Sequence, residues 1–229
     1  MRTDSQTILA IDTSTHAIGI ALLNHEQILC EHTWQSADYH TVELAPMVQQ
    51  ALLRSQISSE NLSAIAVALG PGSFTGLRIG LALAKGLALA AHIPLIGIPT
   101  LDILANSQPP QETHMLCLLR TGRGRLAIRA YQRYHQEWQA QDNYEVLTLA
   151  EILQKIDQPT WVCGEISTEE RAQLRSHPMI KLASPAQCVR RPAVLAELAF
   201  QRLQKKKFDD PISLTPIYLH YNEPISVAK

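Results

Sequence analysis

The stretch Val67-Ala68-Leu69-Gly70-Pro71-Gly72-Ser73-Phe74-Thr75-Gly76-Leu77-Arg78 joins three kinds of local structure. An apolar run from Ile65 to Leu69 reads as a buried strand, and it stops against a Gly-Pro-Gly turn. A stretch of Leu, Ala and Gly then continues to about Ala91 and predicts a long helix. A strand feeding straight into a helix through so tight a turn commits the chain to α/β layers. Gly70 and Gly72 allow a sharp bend and a close neighbour, and Ser73 or Thr75 can cap the helix. The loop is not a Walker A loop, because Gly76 is followed by Leu77 and Arg78 and not by Lys and a hydroxyl. It is not the dinucleotide pattern either, since Thr75 stands where the third Gly is needed. Two readings stand: an anion site at the helix start, or a purely structural turn.

The N-terminal segment from Thr7 to Leu23 reads as strand, polar turn, strand, with Asp12-Thr13-Ser14-Thr15 at the turn. A carboxylate beside hydroxyls suits a site that orients metal-bound water near a phosphate. The same residues also suit a turn in which the carboxylate bonds its own backbone.

Further strands are expected at Glu26 to Trp34, Pro94 to Ile98, Met115 to Leu119, Leu126 to Tyr134 and Thr160 to Cys163. Helices are expected at Val42 to Ser55, Leu149 to Lys155 and Ala193 to Lys206. The polar break around Pro109-Pro110 divides the chain into an N-terminal lobe, 1–104, and a C-terminal lobe, 105–229, with the tail after about residue 208 assigned to no element. A net charge of -1 gives no general attraction to nucleic acid. Cys30, Cys117, Cys163 and Cys188 are too far apart in sequence for a Cys-x-x-Cys pair and read as reduced thiols. No secretory signal pattern opens the chain, and Arg78, Lys85, Pro94 and Pro99 interrupt its most apolar region, so a cytoplasmic protein without a membrane span is expected.

In the helix after the Gly-rich turn, Gly76, Gly80, Ala84 and Ala88 recur every fourth residue and share one side. Leu83, Leu87 and other apolar residues cover most of the rest, and only Arg78 and Lys85 are charged. Such a helix must be covered on nearly all sides, by its own core or by a second chain.

The Asp12 turn resembles the phosphate-binding hairpin of the actin, Hsp70 and sugar-kinase superfamily. The run Ala68-Leu69-Gly70-Pro71-Gly72-Ser73-Phe74-Thr75-Gly76-Leu77-Arg78-Ile79-Gly80 resembles the signature of the TsaB family, formerly called YeaZ. The likeness continues through Ala84 to Ala88 and Ile93 to Ile98, and returns at Pro216 to Leu219. It implies an actin-like, two-lobed α/β fold with a central mixed sheet flanked by helices in each lobe. It also implies a role in forming N6-threonylcarbamoyladenosine at position 37 of tRNAs that read codons beginning with A. By the same resemblance, the chain is a non-catalytic partner of the transferase TsaD, has TsaE as a further partner and forms homodimers. The alternative within the superfamily is an ATP-dependent small-molecule kinase.

The resemblance places the partner interface on the first-lobe helices, at Leu44, Met47, Val48, Ala51, Gly76, Gly80, Leu83, Ala84, Leu87 and Ala88. TsaD carries a His-x-x-x-His metal motif where this chain has Thr100 and Leu104, so no metal and no catalytic residue are expected here. Asp12, Ser14 and Thr15 are the remains of a phosphate hairpin, with Thr13 in place of the usual Gly and Glu165 after the second-lobe Gly164. No cofactor is expected on the isolated chain, with ATP or ADP and Mg confined to the TsaD interface. Where relatives carry an acidic element, this chain has Arg123, Arg125, Arg129 and Arg133, alternate residues that predict a basic strand face. That face is either simply solvated or touches tRNA within the complex.

Overall fold

The computed structural model describes residues 6–36, 40–110, 112–122, 124–135 and 137–219. Strands β1 (Thr7–Asp12), β2 (Ala17–Leu23) and β3 (Ile28–Gln35) precede helix α1 (His40–Arg54). Strand β4 (Leu62–Ala68), helix α2 (Phe74–Ala91), strand β5 (Leu95–Ile98) and helix α3 (Thr100–Asn106) follow. These five strands form one sheet in the order β3-β2-β1-β4-β5, antiparallel across β3, β2 and β1 and parallel from β1 through β4 to β5.

The second sheet is built from β6 (His114–Gly122), β7 (Arg125–Tyr134), β8 (Glu137–Ala140) and β9 (Glu145–Thr148), then, after α4 (Leu149–Lys155), from β10 (Thr160–Gly164). Helix α5 (Thr168–Ser176), strand β11 (Ile180–Leu182) and helix α6 (Pro192–Gln204) complete the named elements. The order is β11-β10-β6-β7-β8, with β9 paired to the other end of β7.

The central strands of both sheets are buried on both faces, which is why β1, β4, β5 and β10 read as nearly continuous apolar runs. In β1, Leu9 and Ile11 face α1 and α2, while Ile8 and Ala10 face α6. In the second sheet, Met115, Cys117 and Leu119 meet Leu101 and Leu104 of α3, while Leu118, Leu126 and Ile128 meet Ile152 of α4 and Leu174 of α5. The observed architecture is the two-lobed α/β arrangement of two mixed sheets flanked by helices.

The packing does not follow a single cut at residue 104. Helix α6 returns to the first sheet with Ala193, Leu195, Ala196 and Ala199, covering the apolar face of β1, β2 and β4 that lies opposite α1 and α2. The segment after Phe208 also returns there. Asp209 bridges to Leu95, Leu214 joins the first core, and the Ile217 amide donates to the Leu69 carbonyl at 2.7 Å. Helix α3, which spans the cut, packs largely on the second sheet.

Helix α2 is long and apolar enough to cross a membrane, contrary to the expectation that breakers exclude any such stretch. Here, however, Leu77, Leu81, Ala84 and Ala88 are buried within the fold.

Candidate functional site

The turn after β1 lies between the two lobes, and its polar groups are satisfied by the chain itself. Asp12 accepts at Oδ1 from the Ser14 amide (2.8 Å) and from Ser14 Oγ (2.6 Å), which closes the turn. The Ser14 carbonyl then accepts from the Ser73 amide at 2.6 Å, and Thr13 Oγ1 donates to the Gly76 carbonyl at 2.7 Å. Thr100 holds the start of the Gly-rich loop. Its Oγ1 accepts from the Gly70 amide at 2.9 Å and lies 2.8 Å from Ser14 Oγ, and its own amide donates to the Gly70 carbonyl at 2.8 Å.

This contact explains the glycines. A Cβ on Gly72 would lie 2.2 Å from the Ser14 carbonyl oxygen, and one on Gly80 would lie 2.2 Å from Thr13 Oγ1. Gly70 has φ +106, a left-handed conformation that favours glycine. Ser73 caps α2, its hydroxyl accepting from the Gly76 amide.

Arg190, just before α6, fills the centre of the site. Its Nε donates to Asp12 Oδ2 at 2.9 Å, Nη1 to Glu165 Oε1 at 2.6 Å, and Nη2 to Thr15 Oγ1 at 2.8 Å and to the Ala17 carbonyl at 3.1 Å. Thr15 Oγ1 in turn donates to Glu165 Oε1 at 2.5 Å. The Arg190 side chain is 3% exposed. Burial acts to lower its pKa, and the carboxylates of Asp12 and Glu165 outweigh that, so the guanidinium is held protonated more firmly than usual.

Asp12, Ser14 and Thr15, read from sequence as phosphate-hairpin remnants, are therefore brought together, and each is committed to a partner within the chain. Glu165 sits beside them as the second counter-charge of Arg190. Sequence reasoning missed Arg190, and it read Thr100 only as the residue standing where TsaD has a metal-binding His. Arg190 lies 178 residues from Asp12, and no motif or period connects the two.

Three corrections concern the other site residues. First, the small-residue row of α2 faces inward. Gly76, Gly80, Ala84 and Ala88 are buried, as are Leu44, Val48 and Ala51 of α1. They let α2 and α1 approach the sheet and each other, so they cannot line an outer surface. Met47, Leu83 and Leu87 are half-buried at the margin of that core. Second, the outer face of the two helices is carried instead by Val42 (68% exposed), Leu53 (70%), Phe74 (56%) and Leu89 (54%). Third, the arginines of β7 form no open basic stripe, because α3 covers the face to which Arg129 belongs. Arg129 Nη1 donates to Asp102 Oδ1 at 3.1 Å, Tyr131 donates to the same oxygen at 2.6 Å, and Arg129 lies over the Tyr144 ring. Arg125 and Arg133 are half-buried, and Arg123 lies outside the described residues. Among the described residues, no group of three or more His, Cys, Asp or Glu is arranged to hold a metal ion.

The sequence model of the family described as "TsaD: tRNA N6-adenosine threonylcarbamoyltransferase" matches residues 28–206. The chain is 31% identical to the tRNA threonylcarbamoyladenosine biosynthesis protein TsaB of Bacillus subtilis over 222 residues, 95% of each chain. It is 38% identical to the Escherichia coli protein of the same name over 143 residues, 61% of this chain and 62% of that one. The solved structure of YeaZ from Pseudomonas aeruginosa superposes with a TM-score of 0.78 at 24% identity, covering 93% of this chain and 100% of that one. These likenesses, together with the hairpin, the Gly-rich loop it grips and the two-sheet architecture, establish that the chain belongs to the TsaB (YeaZ) family.

Proposed function

We propose that the chain acts in formation of N6-threonylcarbamoyladenosine at position 37 of tRNAs reading codons that begin with A, as the non-catalytic partner and activator of TsaD. The names of its relatives support the pathway. The observation that carries the partner role is the outward face of α1 and α2. Val42, Leu53, Phe74 and Leu89 are all more than half exposed, and across both helices only Glu43, Arg54, Arg78 and Lys85 are charged. Exposed large apolar side chains gathered on neighbouring helices with few charges are a mark of a protein contact. Docking activates TsaD only if this face binds the competent form of TsaD more tightly than the idle form.

The kinase alternative has no support. The hydroxyls and carboxylate that would serve a phosphate are engaged by Arg190 and by one another. We take the isolated chain to hold no nucleotide, with ATP or ADP and Mg restricted to a TsaD interface. The same reading assigns TsaE as a further partner, homodimers through the α1–α2 face, tRNA contact only within the complex, and a cytoplasmic location.

Co-purification with TsaD tests this. Leu53→Glu and Leu89→Glu alter only the outer face, so the reading expects a folded chain that no longer retains TsaD. Undiminished retention by the double variant refutes the assigned face.

A further inference from the structure

The hydrogen bonds of the Asp12 turn run without a break from the second lobe to the start of α2. Glu165 and Asp12 hold the Arg190 guanidinium, Asp12 closes the turn through Ser14, and the turn grips the Gly-rich loop at three places: Gly70 through Thr100, Ser73 through the Ser14 carbonyl, and Gly76 through Thr13. The first turn of α2 has no acidic residue and carries the exposed Phe74, which lies 5.1 Å, centroid to centroid, from the Tyr218 ring. Leu77 of the same turn is buried and the Ile217 amide holds Leu69 just before the loop, while the polar contacts that fix the loop from beneath come from the Asp12 turn.

We propose that Arg190 is the resident ligand of the first hairpin and a positioning residue that, through Asp12, sets the Gly-rich loop and the first turn of α2 in the form that binds the partner. The guanidinium supplies what a bound ligand supplies in an open hairpin site. It gives Asp12 a fixed cation and fills the space between the lobes, so the loop is ordered before any partner arrives. Without it, Asp12 Oδ2 is a buried carboxylate oxygen with no counter-charge, and the turn has reason to rearrange towards water. The loop then samples forms in which Phe74 and Arg78 are misplaced. A partner that binds only the ordered form sees an affinity reduced by the fraction of chains in that form, while the fully bound complex is unchanged. The link to TsaD rests on the function proposed above, whereas the link to the loop does not.

The test uses the full chain carrying Arg190→Ala, with Arg190→Lys as a second variant that keeps the charge but loses the fork. Hydrogen exchange should accelerate over residues 70–78 in Arg190→Ala and remain at the wild-type rate in β7 and β8. The concentration of chain needed to half-saturate TsaD should rise about tenfold or more, with the maximal rate of tRNA modification within about twofold of wild type. Arg190→Lys should fall between the two. Added guanidinium ion, at concentrations too low to denature, should return Arg190→Ala towards wild type in both measurements. Unchanged exchange over 70–78, acceleration spread evenly over all strands, or a loss confined to maximal rate would each overturn the proposal. If Arg190→Ala does not fold, the exchange and saturation behaviour of Arg190→Lys decides by the same criteria. If the wild-type chain itself fails to bind TsaD, the proposed function falls, and exchange over 70–78 still decides the role of Arg190.

Discussion

Gly80 and Gly86 lie on the same helix, are six residues apart and face opposite environments, so replacing each by Ala separates helix propensity from the hairpin contact. In both variants the helix gains about 1 kcal/mol from the better helix former. At Gly86 nothing lies within 4 Å of the new Cβ, so the gain stands. At Gly80 the new Cβ arrives 2.2 Å from Thr13 Oγ1 and 3.3 Å from Thr13 Cβ. Thr13 is 1% exposed and β-branched, so it has no free rotamer to retreat into. Turning its hydroxyl away breaks the 2.7 Å bond to the Gly76 carbonyl and strands a buried donor, at about 1–3 kcal/mol. Forcing the helix outward instead overpacks the core, at about 1–3 kcal/mol. Where one route suffices the net loss is about 0–2 kcal/mol, and where both are used about 1–5 kcal/mol, once the propensity gain is subtracted. For a chain of this size about 1 kcal/mol shifts the melting temperature by roughly 2–4 °C. Gly86→Ala should therefore melt about 2–4 °C higher than wild type, and Gly80→Ala should melt several degrees below Gly86→Ala. In urea titrations, Thr13→Ala combined with Gly80→Ala should cost less than the sum of the two single changes, because the residues share one contact. A Gly80→Ala protein that gains as much stability as Gly86→Ala would refute the claim that the hairpin dictates glycine in α2.

Other predictions follow from the packing. Ala84→Arg places a cation in the first core, where Ala84 is fully buried, and should abolish folding, as read by circular dichroism, not merely partner binding. Burial, then the nearby Asp102 carboxylate, pushes the Tyr144 phenol up to about 12, and burial pushes Tyr131 up as well. A raised phenol favours the neutral folded form, so this contribution is present below about pH 10 and lost as the pH climbs towards 12. Tyr144→Phe should therefore lose less stability than wild type over that interval, and an equal loss would exclude Tyr144 as the cause. Cys117 and Cys163 are fully buried, and burial raises the Cys117 thiol well above its usual range. A thiol reagent should then label no more than Cys30 and Cys188 in the native chain, with labelling of all four cysteines only after denaturation.

The parts of the molecule legible in sequence are those in which one local pattern has one physical meaning. The strand running into Gly70-Pro71-Gly72 is such a case, as are the central strands and α4, whose capping box of Thr148 and Glu151 marks its start. The orientation of α2 was not legible. A row of small residues permits close approach to a sheet within the chain as readily as to another chain, and the opposite face of α2 is also apolar, so no polar stripe showed which side faces outward. The arginines of β7 misled for a related reason. Alternation identifies a shared face, but only the three-dimensional placement of α3 shows that this face is covered and that Asp102 awaits Arg129 there. Helix α3 was overlooked because it is one short element of seven residues directly after a strand. Arg190 is the most instructive omission. Its role exists only once the second lobe has folded back onto the first, and a single Arg in a loop carries no trace of that in its neighbours.

Reconstitution of tRNA modification from purified components tests the central claim most directly. With TsaD, TsaE, threonylcarbamoyl adenylate and an unmodified tRNA reading codons that begin with A, modified nucleoside should accumulate when this chain is present. It should be nearly absent when the chain is omitted or when the chain is supplied without TsaD. Product formed by this chain alone, or formed by TsaD at an equal rate in its absence, would contradict the account.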